Sequence, residues 1–218
     1  MNLAPFIDHT NLKPTASETD IRQLCAEAWE HHFKAVCLAP TYVRYAKSWI
    51  EGSQTALCTV IGFPLGYSTT ATKLHEAEQA LADGAVELDM VINLSQFKSM
   101  AYLSVASEIQ QLCTIAHSAN ALLKVIIETA YLDSFEIHSV CEMCVDANVD
   151  FVKTSTGFAL KGAELATVQL MRSVLPPHIQ VKASGGIKTY EQALAFVEAG
   201  ATRVGTSAGV EIVRQKQP

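Results

Sequence analysis

Three lysines stand alone inside apolar segments that have the length and composition of buried strands. They are Lys124, Lys153 and Lys182, and each is 29 residues from the next. A charged side chain inside a buried strand costs several kcal/mol of folding free energy unless it is paired. The fixed spacing of such costly positions predicts a repeating structural unit that brings amines to one place.

Short apolar segments alternate with helical patterns along the whole chain. The predicted strands are residues 6–9, 35–38, 57–62, 86–92, 122–128, 151–155, 179–184 and 203–206. Thr15, Asp133 and Thr189 each precede Glu or Gln by three residues, which is a helix-start signal, and Gly84 and Gly200 mark helix ends. Strict alternation implies parallel strands. Eight such units in 218 residues predict a single-domain α/β (β/α)8 TIM barrel over residues 1–218. An open doubly wound sheet is the alternative, although no Gly-x-Gly-x-x-Gly follows the first strand.

The composition excludes several classes of function. The chain is 49% apolar with a formal net charge of −6, which supports one sizeable core and argues against nucleic acid or an anionic membrane as the main partner. No signal-peptide pattern or membrane-length apolar segment is present, so we expect a cytoplasmic protein. Cys141 and Cys144 form a lone Cys-x-x-Cys, which predicts buried thiols on a helix. His31 and His32 are adjacent and cannot share a helix face, so we predict no metal site.

The predicted strand 86–92 has one charged face. Glu87 and Asp89 alternate with Val86, Leu88 and Met90. The apolar set should contact the helices, so both carboxylates should point to the barrel axis, as should the three lysines. A purely structural salt-bridge cluster is the alternative interpretation.

An amine in a dry interior is suited to covalent carbonyl chemistry. A lysine attacks a carbonyl only when it is neutral, and both burial and a nearby cation lower a lysine pKa. Lys182 on a neighbouring strand could act in this way on Lys153, and Asp89 could move protons. The strand positions alone leave open which lysine is the nucleophile.

Two glycine-rich turns predict a phosphate site. Gly185 and Gly186 follow the seventh strand, and the sequence from Gly205 to Gly209 follows the eighth and leads into a short helix at 210–214. The loops after strands 7 and 8 commonly bind phosphate in this fold.

An ordered set of motifs runs nearly end to end. These are IDHT at 7–10, VCLAP at 36–40, VIGFPLG at 60–66, ELDMVIN at 87–93, KVIIET at 124–129, FVKTSTGF at 151–158, VKASGGI at 181–187 and RVGTS at 203–207. With these motifs the chain resembles the deoxyribose-phosphate aldolases, a family of class I aldolases.

The resemblance implies a TIM barrel that reversibly cleaves 2-deoxy-D-ribose 5-phosphate to acetaldehyde and D-glyceraldehyde 3-phosphate. It implies no metal, no organic cofactor and a homodimer or larger homo-oligomer. By motif position, Lys153 looks like the Schiff-base lysine, Lys182 like the second lysine that depresses its pKa, and Asp89 like the proton donor and acceptor. The positions implied to bind substrate are Thr10, Cys37, Lys124, Thr156, Ser184, Gly185, Gly186, Gly205 and Ser207.

The chain departs from the family pattern at two positions near the expected phosphate. Ala208 stands where a second serine is familiar, and Phe158 stands where some relatives carry a lysine. The resemblance implies that both changes weaken phosphate binding and leave the imine chemistry unaffected. The long C-terminal tail of some relatives is also expected to be missing. A different lyase or transferase on the same barrel, such as a transaldolase, and an inactive phosphosugar-binding barrel remain alternatives.

Overall fold

A computed structural model describes residues 1–215 as a closed barrel of eight parallel strands. The strands are β1 Ile7–Asn11, β2 Ala35–Leu38, β3 Ala56–Ile61, β4 Glu87–Val91, β5 Leu122–Ile126, β6 Phe151–Lys153, β7 Gln180–Ser184 and β8 Arg203–Thr206. The α-helices are α1 Glu18–Glu30, α2 Val43–Trp49, α3 Thr70–Asp83, α4 Leu94–Lys98, α5 Tyr102–Ser118, α6 Ser134–Asp146, α7 Leu165–Val174, α8 Tyr190–Glu198 and α9 Gly209–Arg214. Each strand pairs with the next, and β8 pairs with β1. The predicted TIM barrel is therefore confirmed; the last three residues of the predicted domain, 216–218, lie outside the described part.

All eight predicted strands are present, with ends that shift by a few residues. The strand predicted to reach residue 128 ends at Ile126, because Glu128 takes a left-handed backbone conformation with φ of 50°. The strand predicted to end at 155 ends at Lys153. Val86 was expected to face the helices, but it precedes β4 and is 48% exposed. The sequence pattern therefore predicted the presence and position of each strand correctly, but it predicted the residues at which the strands end less accurately.

Local capping explains where several helices begin. The predicted caps Asp133 and Thr189 both form reciprocal capping boxes, at the starts of α6 and α8. The predicted cap Thr15 is wrong, because α1 starts after Ser17, whose hydroxyl accepts from the Asp20 N–H at 3.3 Å. The Asp20 carboxylate in turn accepts from the Ser17 N–H at 2.7 Å. Each box satisfies N–H groups that the first helical turn leaves without partners.

The apolar core lies between the barrel and its helices. Leu88, Met90, Val125, Val152 and Val181 belong to it and are completely buried. Their strand neighbours point the other way, as side-chain alternation requires. The barrel axis is consequently left to polar and charged side chains around its middle. Within residues 1–215, none of the helices combines the length and hydropathy needed to cross a membrane.

Strand register places the three lysines at two levels of the axis. In the strand register, Lys153 is opposite Lys182 of β7. On its other side, Lys153 is opposite Ile126 of β5 and not opposite Lys124. Lys124 lies two residues lower, opposite Phe151. The equal sequence spacing therefore puts two lysines side by side and the third one layer beneath them.

Candidate active site

Asp89 is the centre of a buried cluster in the barrel axis. Its Oδ2 accepts from the Nζ of Lys153 at 2.7 Å and from the Nζ of Lys182 at 2.8 Å. Its Oδ1 accepts from the Nζ of Lys124 at 2.7 Å. All four side chains are at most 3% exposed. The prediction that these lysines and this carboxylate face one another across the axis is confirmed by these contacts.

Further ion pairs continue the cluster downwards. Lys182 also contacts Asp8 at 2.5 Å, and Lys124 contacts Glu87 at 2.7 Å. Arg203 pairs with Asp8 and, at 2.6 Å, with Glu87. Asp8 and Arg203 were not predicted to belong to this cluster, although both lie in the motifs at 7–10 and 203–207. The available signal was the same as for the lysines, a charge inside a short apolar strand.

The cluster fixes the charge of several of its members. Burial alone would raise the pKa of Asp89, but the three lysines outweigh it and hold that pKa well below its usual range. Burial alone would lower the pKa of Lys182, but Asp8 and Asp89 raise it above the ordinary lysine value. The same balance, with Asp89 as the main partner, raises the pKa of Lys124. Lys182 is therefore held as an ammonium ion on the oxygen atom that Lys153 also contacts.

A cavity of about 290 Å³ opens above the cluster at the carboxyl ends of the strands. Lys153 is the member of the cluster that reaches it. The other predicted site residues on its wall are Thr10, Thr156, Ser184, Gly185, Gly186, Gly205 and Ser207. The cavity is large enough for a small phosphorylated sugar, and the Lys153 amine, a potential nucleophile, lies at its floor.

Two residues predicted to bind substrate do not line this cavity. Cys37 and Lys124 are completely buried beneath it. Cys37 is level with Cys58 on β3, and the Cys58 thiol donates to Asp89 Oδ1 at 3.1 Å. The Sγ atoms of Cys37 and Cys58 and a carboxylate oxygen of Asp89 lie within 4.8 Å of one another, close enough to coordinate a metal ion. This grouping was not predicted from the sequence. The Lys124 ammonium group, 3.2 Å from Cys58 Sγ, already supplies a cation there.

The glycine-rich turns allow close approach of the backbone and of Lys182. A Cβ on Gly185 would lie 2.9 Å from the Cα of Gly162 in the loop after β6. A Cβ on Gly205 would lie 3.1 Å from Cε of Lys182. Glycine at these two positions therefore lets the loop at Gly162 approach Gly185 and leaves room for the Lys182 side chain.

Two lysines on the cavity wall were not predicted. Lys13 lies in the loop after β1, and Lys188 lies just past the Gly185-Gly186 turn. Phe158, the residue that departs from the family pattern, lines the cavity and packs edge-on against Phe63 with ring centroids 5.3 Å apart. The position of Lys188, two residues after a predicted phosphate turn, was the signal that could have identified it.

The fold and site together define a class: (β/α)8 barrels with a buried lysine–carboxylate cluster beneath a cavity at the carboxyl ends of the strands. Residues 3–215 match the model of the DeoC/LacD family aldolases, and the chain belongs to that family.

Individual relatives agree with this assignment. A deoxyribose-phosphate aldolase of Thermococcus gammatolerans is 51% identical over 98% of this chain and 96% of its own length. One of Lactiplantibacillus plantarum is 48% identical over 98% of this chain and 99% of its own. A tetrameric deoxyribose phosphate aldolase of Aeropyrum pernix, 38% identical, superposes with a TM-score of 0.91 over 98% of this chain and 90% of its own.

Proposed function

We propose that this protein is a class I aldolase that reversibly cleaves 2-deoxy-D-ribose 5-phosphate to acetaldehyde and D-glyceraldehyde 3-phosphate through a Schiff base on Lys153. The observation that carries the proposal is the position of Lys153. Its amine reaches the floor of the cavity and shares one carboxylate oxygen with the Lys182 ammonium group. Membership of an aldolase family and the deoxyribose-phosphate aldolases among its relatives support the choice of reaction and substrate.

The chemistry assigned to Lys153 is the formation of an electron sink. The neutral amine adds to the aldehyde carbon of the open-chain sugar, and loss of water gives an iminium ion. The bond between the second and third sugar carbons then breaks, its electrons pass into an enamine, and the hydroxyl on the third carbon loses its proton as the new aldehyde forms. The terminal carbon of the enamine then takes up a proton, and hydrolysis of the resulting iminium ion releases acetaldehyde and restores the lysine.

Asp89 is the group assigned to proton transfer, and Lys182 is assigned to favouring the neutral form of Lys153 through its nearby positive charge. Asp89 is a weak base while three ammonium groups surround it, since they hold its pKa well below normal. Its proton affinity is higher when the Lys153 nitrogen is neutral, as it must be before it attacks, because one of the three cations is then absent. The cluster thus links the charge of Lys153 to the moment at which Asp89 can accept a proton.

The other end of the cavity is assigned to phosphate. The turns at Gly185-Gly186 and Gly205 to Ser207 supply backbone N–H groups, and Lys13 and Lys188 supply positive charge. These two lysines offset the cation that Phe158 fails to provide.

The proposal extends to the setting of the enzyme. We assign it to the cytoplasm and expect a phosphosugar, rather than nucleic acid or a membrane, as its partner. We also propose a homodimer or larger homo-oligomer, which the tetrameric relative from Aeropyrum pernix supports.

Reductive trapping tests the proposal. The protein is incubated with acetaldehyde and borohydride, digested, and its modified lysines are located by peptide mass spectrometry. We expect the adduct on Lys153 and none in Lys153→Arg; Lys161→Ala, in an exposed loop, is the matched control. An unmodified Lys153 would contradict the assignment. Acceptance of dihydroxyacetone-type donors in place of acetaldehyde would indicate a transaldolase or another class I aldolase instead.

A further inference from the structure

Glu128, just after β5, combines burial with an unfavourable backbone conformation. Its φ is 50° and its ψ is 68°, in the left-handed region, and its side chain is 3% exposed. Within residues 1–215 the other non-glycine residues with positive φ are all exposed: His32, Met100, Asn120 and Asn148. Glycine adopts this conformation without steric cost, whereas other residues do not. The side chain of Glu128, and not the turn itself, therefore accounts for a glutamate at this position.

The Glu128 carboxyl group is directed at the loop that carries Thr156. Its Oε2 accepts from the Thr156 backbone N–H at 3.1 Å and from the Thr156 hydroxyl. Its Oε1 is buried and has no hydrogen-bond partner within the described part of the chain. Burial raises the pKa of Glu128, against the hydrogen bonds of Thr156 and the charge of Lys153. Glu128 thus lies within electrostatic range of Lys153 without lining the cavity itself.

These contacts fix the direction of every hydrogen bond at the Thr156 hydroxyl. The Thr156 hydroxyl donates to Oε2 of Glu128, which also accepts the Thr156 backbone N–H. The single hydroxyl proton of Thr156 is therefore committed to Glu128. One lone pair of Oγ1 accepts from the Phe158 N–H at 3.0 Å. A hydroxyl has one donor and two lone pairs, so the remaining lone pair is what Thr156 offers to the cavity that it lines.

We propose that Glu128 is a positioning residue that makes Thr156 a fixed hydrogen-bond acceptor for a hydroxyl group of the substrate. The inference rests on the proposed aldolase reaction. The hydroxyl concerned is one that keeps its proton throughout, on the sugar carbon next to the one that becomes the new aldehyde, since a hydroxyl that loses its proton needs a base as its partner. An acceptor held rigidly on the wall of the cavity that Lys153 reaches fixes the orientation of the breaking bond relative to the iminium ion, so the benefit falls on kcat.

The experiment compares variants of Glu128 and Thr156 in cleavage of 2-deoxy-D-ribose 5-phosphate and in trapping of acetaldehyde. Glu128→Gly removes the carboxyl and adopts the left-handed conformation without steric cost, so it adds no backbone strain. We expect kcat to fall about tenfold with little change in KM, as for loss of one hydrogen bond. Glu128→Gln keeps an acceptor for Thr156 and should stay within about threefold of wild type. Glu136→Gln, a carboxylate remote from the cavity that pairs with Lys98, is the matched control.

Thr156 provides the second half of the test. Thr156→Val should lose about tenfold in kcat, whereas Thr156→Ser should retain activity. The double variant Glu128→Gly with Thr156→Val should be no slower than Thr156→Val alone, because Glu128 acts through Thr156. Trapping of acetaldehyde, which has no hydroxyl, should proceed at the wild-type rate in Glu128→Gly.

Four results would overturn the inference: wild-type kcat in Glu128→Gly, a loss confined to KM, multiplied losses in the double variant, or a trapping defect as large as the cleavage defect. Failure of the wild-type protein to trap acetaldehyde on Lys153 would overturn the proposed function itself, and this inference with it. The two failures are therefore distinguished by the wild-type trapping control.

Discussion

The negative charge of Asp89 stabilises the fold by pairing with three buried lysines in the barrel axis, and Asp89→Asn tests this directly. The substitution preserves the shape of the side chain but leaves three ammonium groups, at 2.7 to 2.8 Å in the wild-type structure, without their shared anion. Removal of one partner from a buried ion pair costs about 3–5 kcal/mol. The total free energy of unfolding of native proteins is about 5–15 kcal/mol. We therefore expect Asp89→Asn to lose about 3–5 kcal/mol of unfolding free energy at pH 7.

The pH dependence of that loss follows from the pKa shifts. Asp89 has a folded-state pKa below its unfolded value, so its contribution is present above about pH 4 and lost as pH falls further. Lys124 and Lys182 have raised folded-state pKa values, so their contribution is complete below about pH 10 and lost above it. The difference between wild type and variant should be a plateau between these limits and shrink outside them.

Urea unfolding at pH 3, 5, 7 and 9 measures this profile. Asp146→Asn, an exposed aspartate at the end of α6, is the matched control and should change stability by no more than about 0.5 kcal/mol. A loss below about 1 kcal/mol at pH 7 in Asp89→Asn would refute the electrostatic reasoning, because the lysines would then have to be satisfied by other groups.

Other predictions address the remaining parts of the site. Lys182→Met should fold, because Asp8 retains Arg203 and Asp89 retains two lysines. Its cleavage rate should fall at least about 100-fold, and full activity would show that Lys153 does not need the neighbouring cation. In steady-state assays, Lys188→Ala should raise KM for the phosphorylated sugar about tenfold and leave KM for unphosphorylated 2-deoxyribose unchanged. Equal effects on both KM values would place Lys188 outside the phosphate site. Burial alone would raise the pKa of Asp8, but Lys182 and Arg203 outweigh it and lower that pKa to about 2. The free energy of unfolding should therefore fall between about pH 4 and pH 2, as Asp8 takes up a proton. Acid titration followed by circular dichroism checks this, and a flat profile would contradict the pairing.

The sequence permitted a good prediction of the fold and of which charged side chains meet in the barrel axis. Isolated charges in apolar segments identified Lys124, Lys153, Lys182 and Asp89, because the cost of burying a charge makes such positions informative. Helix caps were less certain, since Thr15 and Ser17 are both plausible caps and only the backbone decides between them.

The remainder depended on how the strands are staggered. Register alone decides that Lys153 lies beside Lys182 while Lys124 lies a layer below, and no local pattern encodes register between strands 29 residues apart. Lys13 and Lys188 belong to loops, where an exposed lysine carries no signal of its own. Glu128 was visible in a motif, but its role depends on a backbone conformation that is not a sequence property.

The most direct measurement is a crystal structure of the protein after substrate and borohydride have reacted in it. We predict continuous density from Nζ of Lys153 into a two-carbon or five-carbon adduct, with any retained phosphate against the turns after β7 and β8. Density attached to Lys182 or Lys124, or an unmodified Lys153 in a protein that has turned over its substrate, would contradict the assignment of the nucleophile.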